Sequence, residues 1–301
     1  MRLDHVSIGV TDLEAARRWY LDVLGLREVS ANRRRLFLGC GGRETFDLVL
    51  QESAAGLHHI AYAAADDAEY ESTARRLAEL PAAKTPGEEP GVVTAVAARL
   101  PGGHVVEVVR RDSAEHYVQS GEWAAAAAGS PRELDHVNIA TVDVDASVGA
   151  LRHSVGLALS DLHEVDGRNV GAWLRAGERH HDFAVIANRA NGLHHLAYQL
   201  VDSAAMAAFA DRLVRFGCRA EYGIGRHGPG SNLFLYTRDP SGNRVELCAD
   251  MALVPRGSPH RRWVGRDDRI LNSWAPYPPP RSFWEITPQV ESGSAVDEKT
   301  T

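Results

Sequence analysis

The feature that most limits the possible folds of this chain is an internal repeat. The sequence Leu-Asp-His-Val occurs at residues 3–6 and again at 134–137. Gly-Leu-His-His occurs at 56–59 and 192–195, and the pattern Pro-x-Gly-x-x-Val-Glu occurs at 101–107 and 240–246. The matches keep their order while their separation grows from 131 to 139 residues. The chain is therefore a duplication of one module, with small insertions in its loops.

Both modules predict the same order of elements, β-α-β-β with additional strands and a second helix. An alternating strand at 5–10 or 136–141 precedes a helix for which Asp12 or Asp143 is a suitable N-cap. A second helix is expected near 68–80 and near 203–216, and a turn with Pro and Gly leads into the last strand. We therefore predict an α+β fold of two tandem modules of paired βαβββ repeats that form curved mixed sheets.

The domain organisation follows from the positions of the repeats. We expect an N-terminal, non-catalytic module at 1–115, a linker at 116–132 through an alanine-rich stretch, and a catalytic module at 133–250. The Pro-, Arg- and Trp-rich segment 251–290 is expected to be lid-like. The polar residues 291–301 are expected to form a flexible tail.

Charge and cysteine content exclude several classes of partner. The net charge is −7 and no long basic run is present, so a nucleic-acid partner is not expected. No apolar run approaches the length of a membrane span, and the first residues do not resemble a signal peptide. The three cysteines are an odd number without metal-type spacing. These features favour a reducing compartment and predict a cytoplasmic protein.

Three residues of the second module are candidate metal ligands. His136 begins the first strand, His195 lies on a later strand, and Glu246 lies on the last strand. Two imidazoles and one carboxylate can form a facial triad, which leaves coordination positions open. A chain with 14 histidines and 40 acidic residues offers such triples by chance, so the triad alone is weak evidence. Its neighbours His181, His227 and Tyr236 add groups suited to acid–base chemistry.

The segment 225–246 supports a specific family. Its Gly-x-His, apolar-Tyr pair, Asp-Pro-x-Gly turn and final Glu resemble the signature of type I extradiol ring-cleaving dioxygenases. These enzymes belong to the vicinal oxygen chelate (glyoxalase/bleomycin resistance/dioxygenase) superfamily, and the resemblance is to catechol and homoprotocatechuate 2,3-dioxygenases in particular. It covers residues 1–250 as architecture and, more loosely, 261–263. It implies sheets that curve around a metal site.

The resemblance also implies an activity and its cofactor. The expected reaction is extradiol (meta) cleavage of a catechol by O2 at a non-haem Fe(II), giving a product of the 2-hydroxymuconic semialdehyde type. Mn(II) is the alternative metal, and a homo-oligomer, dimer or tetramer, is expected. His136, His195 and Glu246 match the iron ligands. Strand alternation predicts that His194 faces away from the site.

Five further positions match active-site residues of the family. His181 matches the acid/base that acts on the bound oxygen, and His227 matches a second active-site histidine. Tyr236 matches the phenol that hydrogen-bonds a substrate oxygen. Asn138 matches an asparagine beside the ligands and Trp173 matches an aromatic residue of the pocket wall. Together these residues form the expected catalytic and substrate-binding set.

The first module serves as an internal control. It keeps the same residue types at all three ligand positions, namely His5, His59 and Glu107. Thr45, Glu88 and Ala97 stand opposite the three acid/base residues of the second module. The first module therefore lacks the catalytic set, and we expect it to be structural and free of metal.

The substrate is less constrained than the reaction. Homoprotocatechuate enzymes carry an arginine five residues before the His227 position, for the substrate carboxylate, and this chain has Tyr222 there. The loss of that arginine–carboxylate pair argues against an acidic substrate. Arg262, from the C-terminal segment, is the remaining candidate for a substrate charge. A neutral or hydrophobic catechol is favoured.

Two other classes of function share this fold. Metal-dependent isomerases, lyases and transferases build sites between modules, which would use His5, Glu107, His136 and Glu246 together. Small-molecule-binding proteins of the same fold lack an intact triad, so metal content separates them from the enzymes. The set of His181, His227 and Tyr236 favours the dioxygenase.

Overall fold

The computed structural model describes residues 1–40, 45–84, 88–112, 129–274 and 278–290. Most of the predicted linker and all of the predicted tail lie outside these residues. The first module contains the following elements: β1 (Arg2–Val10), α1 (Leu13–Arg18) with a π-helical continuation (Trp19–Leu24), β2 (Arg27–Ala31), β3 (Arg35–Gly39), β4 (Leu48–Glu52), β5 (Gly56–Ala63), α2 (Asp67–Leu77), β6 (Val92–Arg99) and β7 (Val105–Arg111).

The second module repeats this order and adds strands at its edges. Its elements are β8 (Glu133–Thr141), α3 (Val144–Ala150) with a π-helical continuation (Leu151–Val155), β9 (Ala158–Val165), β10 (Arg168–Arg175), β11 (Phe183–Ala187), β12 (Gly192–Gln199), α4 (Ser203–Arg215), β13 (Tyr222–Arg226), β14 (Leu233–Arg238) and β15 (Arg244–Ala249). Two short strands, β16 (Arg261–Val264) and β17 (Thr287–Pro288), follow in the C-terminal segment.

Each module forms one mixed sheet. The first sheet has the strand order β2-β3-β4-β1-β5-β7-β6, and the second has β13-β14-β15-β12-β8-β11-β10-β9-β16, with β17 on β12. In both sheets the first strand of the module pairs in parallel with one neighbour and antiparallel with the other. The predicted α+β class and the repetition of the two modules are confirmed.

Local sequence sets the helix starts as predicted. The Asp12 carboxylate accepts the Ala15 N–H at 2.8 Å, and Asp143 accepts the Ala146 N–H at 2.9 Å. These bonds satisfy amide donors that the first turn leaves unpaired. Both first helices end at a glycine with positive φ, Gly25 or Gly156. That conformation is costly for residues with a Cβ, so the glycines fix where each helix stops.

Reciprocal tyrosine–aspartate contacts join the two modules within a shared apolar core. Tyr62 of the first module donates its hydroxyl proton to Asp182 of the second at 2.7 Å. Tyr198 of the second module donates to Asp47 of the first at 3.4 Å. Buried aliphatic and aromatic side chains of both modules form one continuous cluster around these contacts. The duplicated sequence thus gives a pseudo-symmetric interface.

The C-terminal segment folds back onto the second sheet. β16 extends it beside β9, while β17 pairs with β12 next to the first residues of that strand. Gln289 forms a further bridge to Leu57 of the first module. Within the described residues, no helix has both the length and the apolar character needed to cross a bilayer.

Candidate metal centre and its cavity

Three adjacent strands of the second sheet carry the predicted metal ligands. His136 lies on β8, His195 on β12 and Glu246 on β15. The central strand is β12, and its residue Ala197 pairs with both His136 and Glu246. Paired residues share a face of the sheet, as do residues two apart on one strand. The three side chains therefore project from the same face.

The ligand atoms have the spacing of a metal centre. Nε2 of His136 lies 3.1 Å from Nε2 of His195. Oε2 of Glu246 lies 3.0 Å from the His195 nitrogen and 3.3 Å from the His136 nitrogen. Bonds of about 2.1 Å at right angles would place neighbouring ligand atoms about 3 Å apart. Oε2 of the buried Glu246 has no hydrogen-bond partner. The residues present therefore fit a divalent cation.

Polar neighbours hold two of the ligands in place. Nδ1 of His136 lies 2.8 Å from the Asp135 carboxylate, which forms an ion pair with Arg179 at 3.0 Å. Asn232 donates to Oε1 of Glu246 at 3.3 Å. A carboxylate on the distal nitrogen fixes the orientation and tautomer of a metal-binding imidazole.

Burial and charge together set the protonation of the cluster. Burial lowers the pKa of His136, but Glu246 and Asp135 outweigh burial and raise it to about 9. Burial lowers the pKa of His195 to about 4. Burial raises the pKa of Glu246, yet His136 and His195 hold it well below its ordinary value. A cation that binds here would displace the proton of His136.

A β-bulge overturns the expectation for His194. The pairing of β12 with β8 shifts register between Leu193 and His195, so strict alternation fails at this point. His194 borders the same cavity as the triad, and its Nδ1 lies 2.6 Å from Nδ1 of His195. Its Nε2 contacts the carbonyl oxygen of Phe283 at 2.8 Å. His194 thus links a ligand to the C-terminal segment.

The triad opens onto a cavity that is partly open to solvent. Five further residues predicted from the resemblance line it, namely Asn138, Trp173, His181, His227 and Tyr236. The remaining lining outside the ligands and His194 is apolar: Ala184, Ile186, Ile270, Leu271, Phe283 and Trp284. The cavity lining therefore combines imidazole, amide, carboxylate and phenol groups with apolar side chains.

His227 and Tyr236 form a hydrogen-bonded pair in the cavity lining. Nδ1 of His227 lies 2.7 Å from the carbonyl oxygen of Leu271, so Nδ1 carries the proton and donates it. Nε2 of the neutral ring then accepts the hydroxyl proton of Tyr236 at 2.9 Å. Burial and the nearby Glu246 raise the pKa of Tyr236 well above its ordinary value, which keeps the phenol protonated.

His181 packs directly against a ligand. Its ring centroid lies 4.5 Å from that of His136. Burial, followed by the charge of His136, lowers the pKa of His181 well below its ordinary value. Its Nδ1 contacts Nδ1 of His180 at 3.0 Å, and Nε2 of His180 lies 3.3 Å from Asp161. Neither His180 nor Asp161 was predicted as a site residue, although the adjacent histidines at 180 and 181 indicated such a pair.

The structure does not bring Arg262 to the cavity. It lies on β16 with 56% of its side chain exposed, and its guanidinium is paired with Glu164. Because β16 adds to the outer edge of the sheet beside β9, Arg262 faces solvent, and the expectation of a substrate charge from it is wrong. The C-terminal segment instead contributes apolar residues, notably Phe283 and Trp284.

Comparison with known proteins places the chain in a family. The Glyoxalase/Bleomycin resistance protein/Dioxygenase superfamily matches residues 2–108 and 133–247. The chain belongs to this superfamily. Both modules are matched, in agreement with the duplication.

Relatives within the superfamily include named extradiol enzymes. The chain is 28% identical to a manganese-dependent 2,3-dihydroxybiphenyl 1,2-dioxygenase of Geobacillus genomosp. 3, over 84% of this chain and 86% of the relative. It is 25% identical to a metapyrocatechase of Pseudomonas sp. (strain CF600), over 90% and 96% of the two chains. It is 25% identical to an iron-dependent extradiol dioxygenase of Rhodococcus jostii (strain RHA1), over 58% and 60%.

The fold agrees with that of a solved enzyme structure. Homoprotocatechuate 2,3-dioxygenase from Arthrobacter globiformis superposes with a TM-score of 0.88, over 97% of this chain and 93% of that chain, at 24% identity.

The first module differs from the second at the position that corresponds to His181. Strand register pairs Val6 with Leu48 in β1–β4, as it pairs Val137 with Phe183 in β8–β11. The position equivalent to His181 is therefore Phe46 rather than the expected Thr45. The one-residue error arose because the loop between β4 and β5 is one residue shorter than the loop between β11 and β12, so the offset between the later repeats does not apply before that loop.

Proposed function

We propose that this chain is an extradiol dioxygenase that cleaves a catechol ring beside its two hydroxyl groups. The observation that carries the proposal is the open triad of His136, His195 and Glu246 facing a cavity that also holds acid/base residues. Iron(II) and manganese(II) both suit this ligand set. The names of an iron-dependent and a manganese-dependent relative support the same two metals.

The overall reaction adds one O2 to one catechol. The ring bond next to the diol is broken, both oxygen atoms enter the product, and no external reductant is needed. The bound metal ion would supply the Lewis acidity that lowers the pKa of the diol and the redox chemistry that lets O2 react. The protein's own side chains would orient the substrate and transfer its protons.

The Tyr236–His227 pair would remove a proton from the substrate. A catechol hydroxyl that approaches Tyr236 would give its proton to the phenol oxygen, while Tyr236 passes its own proton to Nε2 of His227. His227 then holds the proton, and its Nδ1–H remains fixed on the Leu271 carbonyl. This arrangement couples substrate binding to deprotonation.

His181 would serve as the acid/base for the oxygen. It borders the cavity beside His136, and His180 engages its Nδ1, which leaves Nε2 for a reacting group. Neutral at pH 7, it can accept a proton and later return it. Asn138 and Trp173 line the same cavity, where they would orient the catechol.

The cavity favours a neutral or hydrophobic catechol. No Lys or Arg belongs to its lining among the described residues. Tyr222, which replaces the arginine of the acid-binding enzymes, packs behind the cavity against Phe234 and Phe283. A substrate carboxylate would lose hydration here without gaining a cationic partner, which costs several kcal/mol by order of magnitude. Ring substituents without charge fit the apolar walls.

Other functions of the superfamily have less support. An enzyme with a site between modules would need ligands from both, whereas the triad draws all of its ligands from one sheet. A metal-free binding protein would not need a buried carboxylate oxygen without a hydrogen bond. The division at 115 and 133, a lid role for 251–290, a cytoplasmic location and homo-oligomeric assembly stay predictions.

The test is anaerobic loading with iron(II) or manganese(II), followed by oxygen uptake and absorbance scans with a panel of catechols. We expect one O2 consumed per yellow product formed. The value of kcat/KM should be higher for 2,3-dihydroxybiphenyl than for 3,4-dihydroxyphenylacetate, because only the latter carries a carboxylate.

A matched pair of variants locates the site. Glu246→Gln should abolish oxygen uptake, whereas Glu107→Gln, at the same position of the first module, should retain it. Absence of oxygen uptake with every catechol in metal-loaded protein would refute the dioxygenase assignment. A preference for the charged catechol would refute the substrate class alone.

A further inference from the structure

A second group of potential metal ligands lies in the first module. The Nε2 atoms of His5 and His59 are 3.0 Å apart. Glu107 places Oε1 3.6 Å from each of them. Glu89 places Oε2 3.0 Å from His5 and Oε1 3.9 Å from His59. All four residues are buried, and one ligand atom from each lies within 4.8 Å of the others.

Glu107 has no partner that explains its burial. Glu107 is 1% exposed, yet neither of its carboxylate oxygens has a hydrogen bond. Glu89, 6% exposed, also leaves Oε1 without a hydrogen bond, although Arg35 lies 3.6 Å away. Two buried carboxylates directed at the same imidazoles are costly unless a cation or protons neutralise them. A divalent cation would satisfy both at once.

The surroundings of His5 match those of a ligand in the second module. Nδ1 of His5 lies 2.8 Å from the Asp4 carboxylate, and Arg111 holds Asp4 at 2.6 Å. His136 has the same arrangement with an aspartate and an arginine. Such a carboxylate aims Nε2 of the imidazole toward the metal side. The duplication has therefore kept the orienting device as well as the ligands.

Two differences distinguish this cluster from the catalytic one. Glu89 supplies a fourth ligand, where the second module leaves open positions. Phe46 packs 4.8 Å from the His5 ring and takes the place of the acid/base histidine. Four protein ligands are characteristic of a closed structural site rather than a catalytic one.

We propose that the first module binds a structural divalent transition-metal ion through His5, His59, Glu89 and Glu107. Two neutral imidazoles and two carboxylates balance the charge of one such ion. Zinc suits closed four-coordination by nitrogen and oxygen, and it does not need redox chemistry. This fourth ligand was not predicted, because Glu89 lies in a loop next to the Glu88 that was aligned with His227. This proposal does not depend on the reaction at the second module.

The test measures zinc bound per chain by elemental analysis, after apoprotein is loaded with Zn²⁺ and unbound metal is removed. Wild-type protein should hold about two ions per chain, one in each module. Glu246→Gln protein should hold about one, and the triple variant Glu89→Gln/Glu107→Gln/Glu246→Gln should hold close to none. The amides keep the volume of the buried side chains.

Two further measurements separate metal loss from misfolding. Zn²⁺ should raise the unfolding midpoint of Glu246→Gln protein and leave that of the triple variant unchanged, with both folded by circular dichroism. X-ray absorption of zinc-loaded Glu246→Gln protein should show only nitrogen and oxygen ligands. If Glu246→Gln protein binds no zinc, or if Glu89→Gln/Glu107→Gln protein binds as much as wild type, the first-module site does not exist. Neither outcome bears on ring cleavage.

Discussion

Replacement of His181 by phenylalanine tests the acid/base assignment with little disturbance of packing. The first module already contains this substitution in effect. Phe46 packs on His5 with centroids 4.8 Å apart and planes at 55°, and His181 packs on His136 at 4.5 Å and 58°. A phenyl ring therefore fits against a ligand imidazole at this position of the fold. His181→Phe should fold and load metal.

We expect His181→Phe to lower kcat. A positioned acid or base contributes about 10²–10⁴-fold in rate. This range corresponds to about 3–5 kcal/mol of activation free energy, at 1.36 kcal/mol for each factor of ten. His180 loses the contact with Nδ1 of His181, so stability should fall by about 1–3 kcal/mol, the range for an unsatisfied buried polar group. The ligands themselves are unchanged.

The assay is kcat from oxygen uptake at saturating catechol, with bound metal and unfolding free energy measured on the same preparation. His153→Gln is the control, because His153 is an exposed histidine of the same module whose partner, Glu79, is also exposed. A His181→Phe enzyme that holds its metal and turns over within about threefold of wild type would show that His181 is not the acid/base, since the expected effect begins near 10².

Two further predictions concern the groups around the metal and between the modules. Asp135→Asn should weaken metal affinity by about 10–100-fold, because the amide no longer orients the ligand imidazole as a carboxylate does; a competition titration with a chelator would measure it, and unchanged affinity would contradict the role. Tyr62→Phe should lower the unfolding free energy in urea by about 1–3 kcal/mol, because buried Asp182 loses a donor at 2.7 Å. Tyr198→Phe, which removes the longer 3.4 Å bond of the pseudo-symmetric pair, should cost less, and equal losses would contradict the geometric argument.

Local chemistry explains why much of the fold was predictable. The duplication required two similar modules, and Asp12 and Asp143 marked the helix starts by a bond to an amide three residues away. Strand alternation placed His136 and Asn138 on one face, and both border the cavity. These features depend on contacts close in sequence, or on a motif long enough to be specific, so they could be read without the structure.

Tertiary packing decided the points that the sequence missed. The bulge at His194 depends on how β12 pairs with β8, and that register cannot be read from β12 alone. Arg262 is separated from the cavity because β16 pairs with the outer strand β9, although its position in the C-terminal segment was compatible with a lid. Glu89 joins His5 and His59 from a loop that has no periodic pattern.

The sequence by itself determined the duplication, the strand and helix order, and the residue types that a metal-dependent ring-cleaving enzyme of this superfamily needs. These are encoded in short motifs whose spacing is set by local backbone geometry. Only the tertiary structure decided which of those residues meet. The convergence of His136, His195 and Glu246 depends on β12 lying between β8 and β15. The four-residue cluster of the first module likewise depends on the tertiary structure, because its side chains are far apart in sequence and meet only when the strands of the sheet pair.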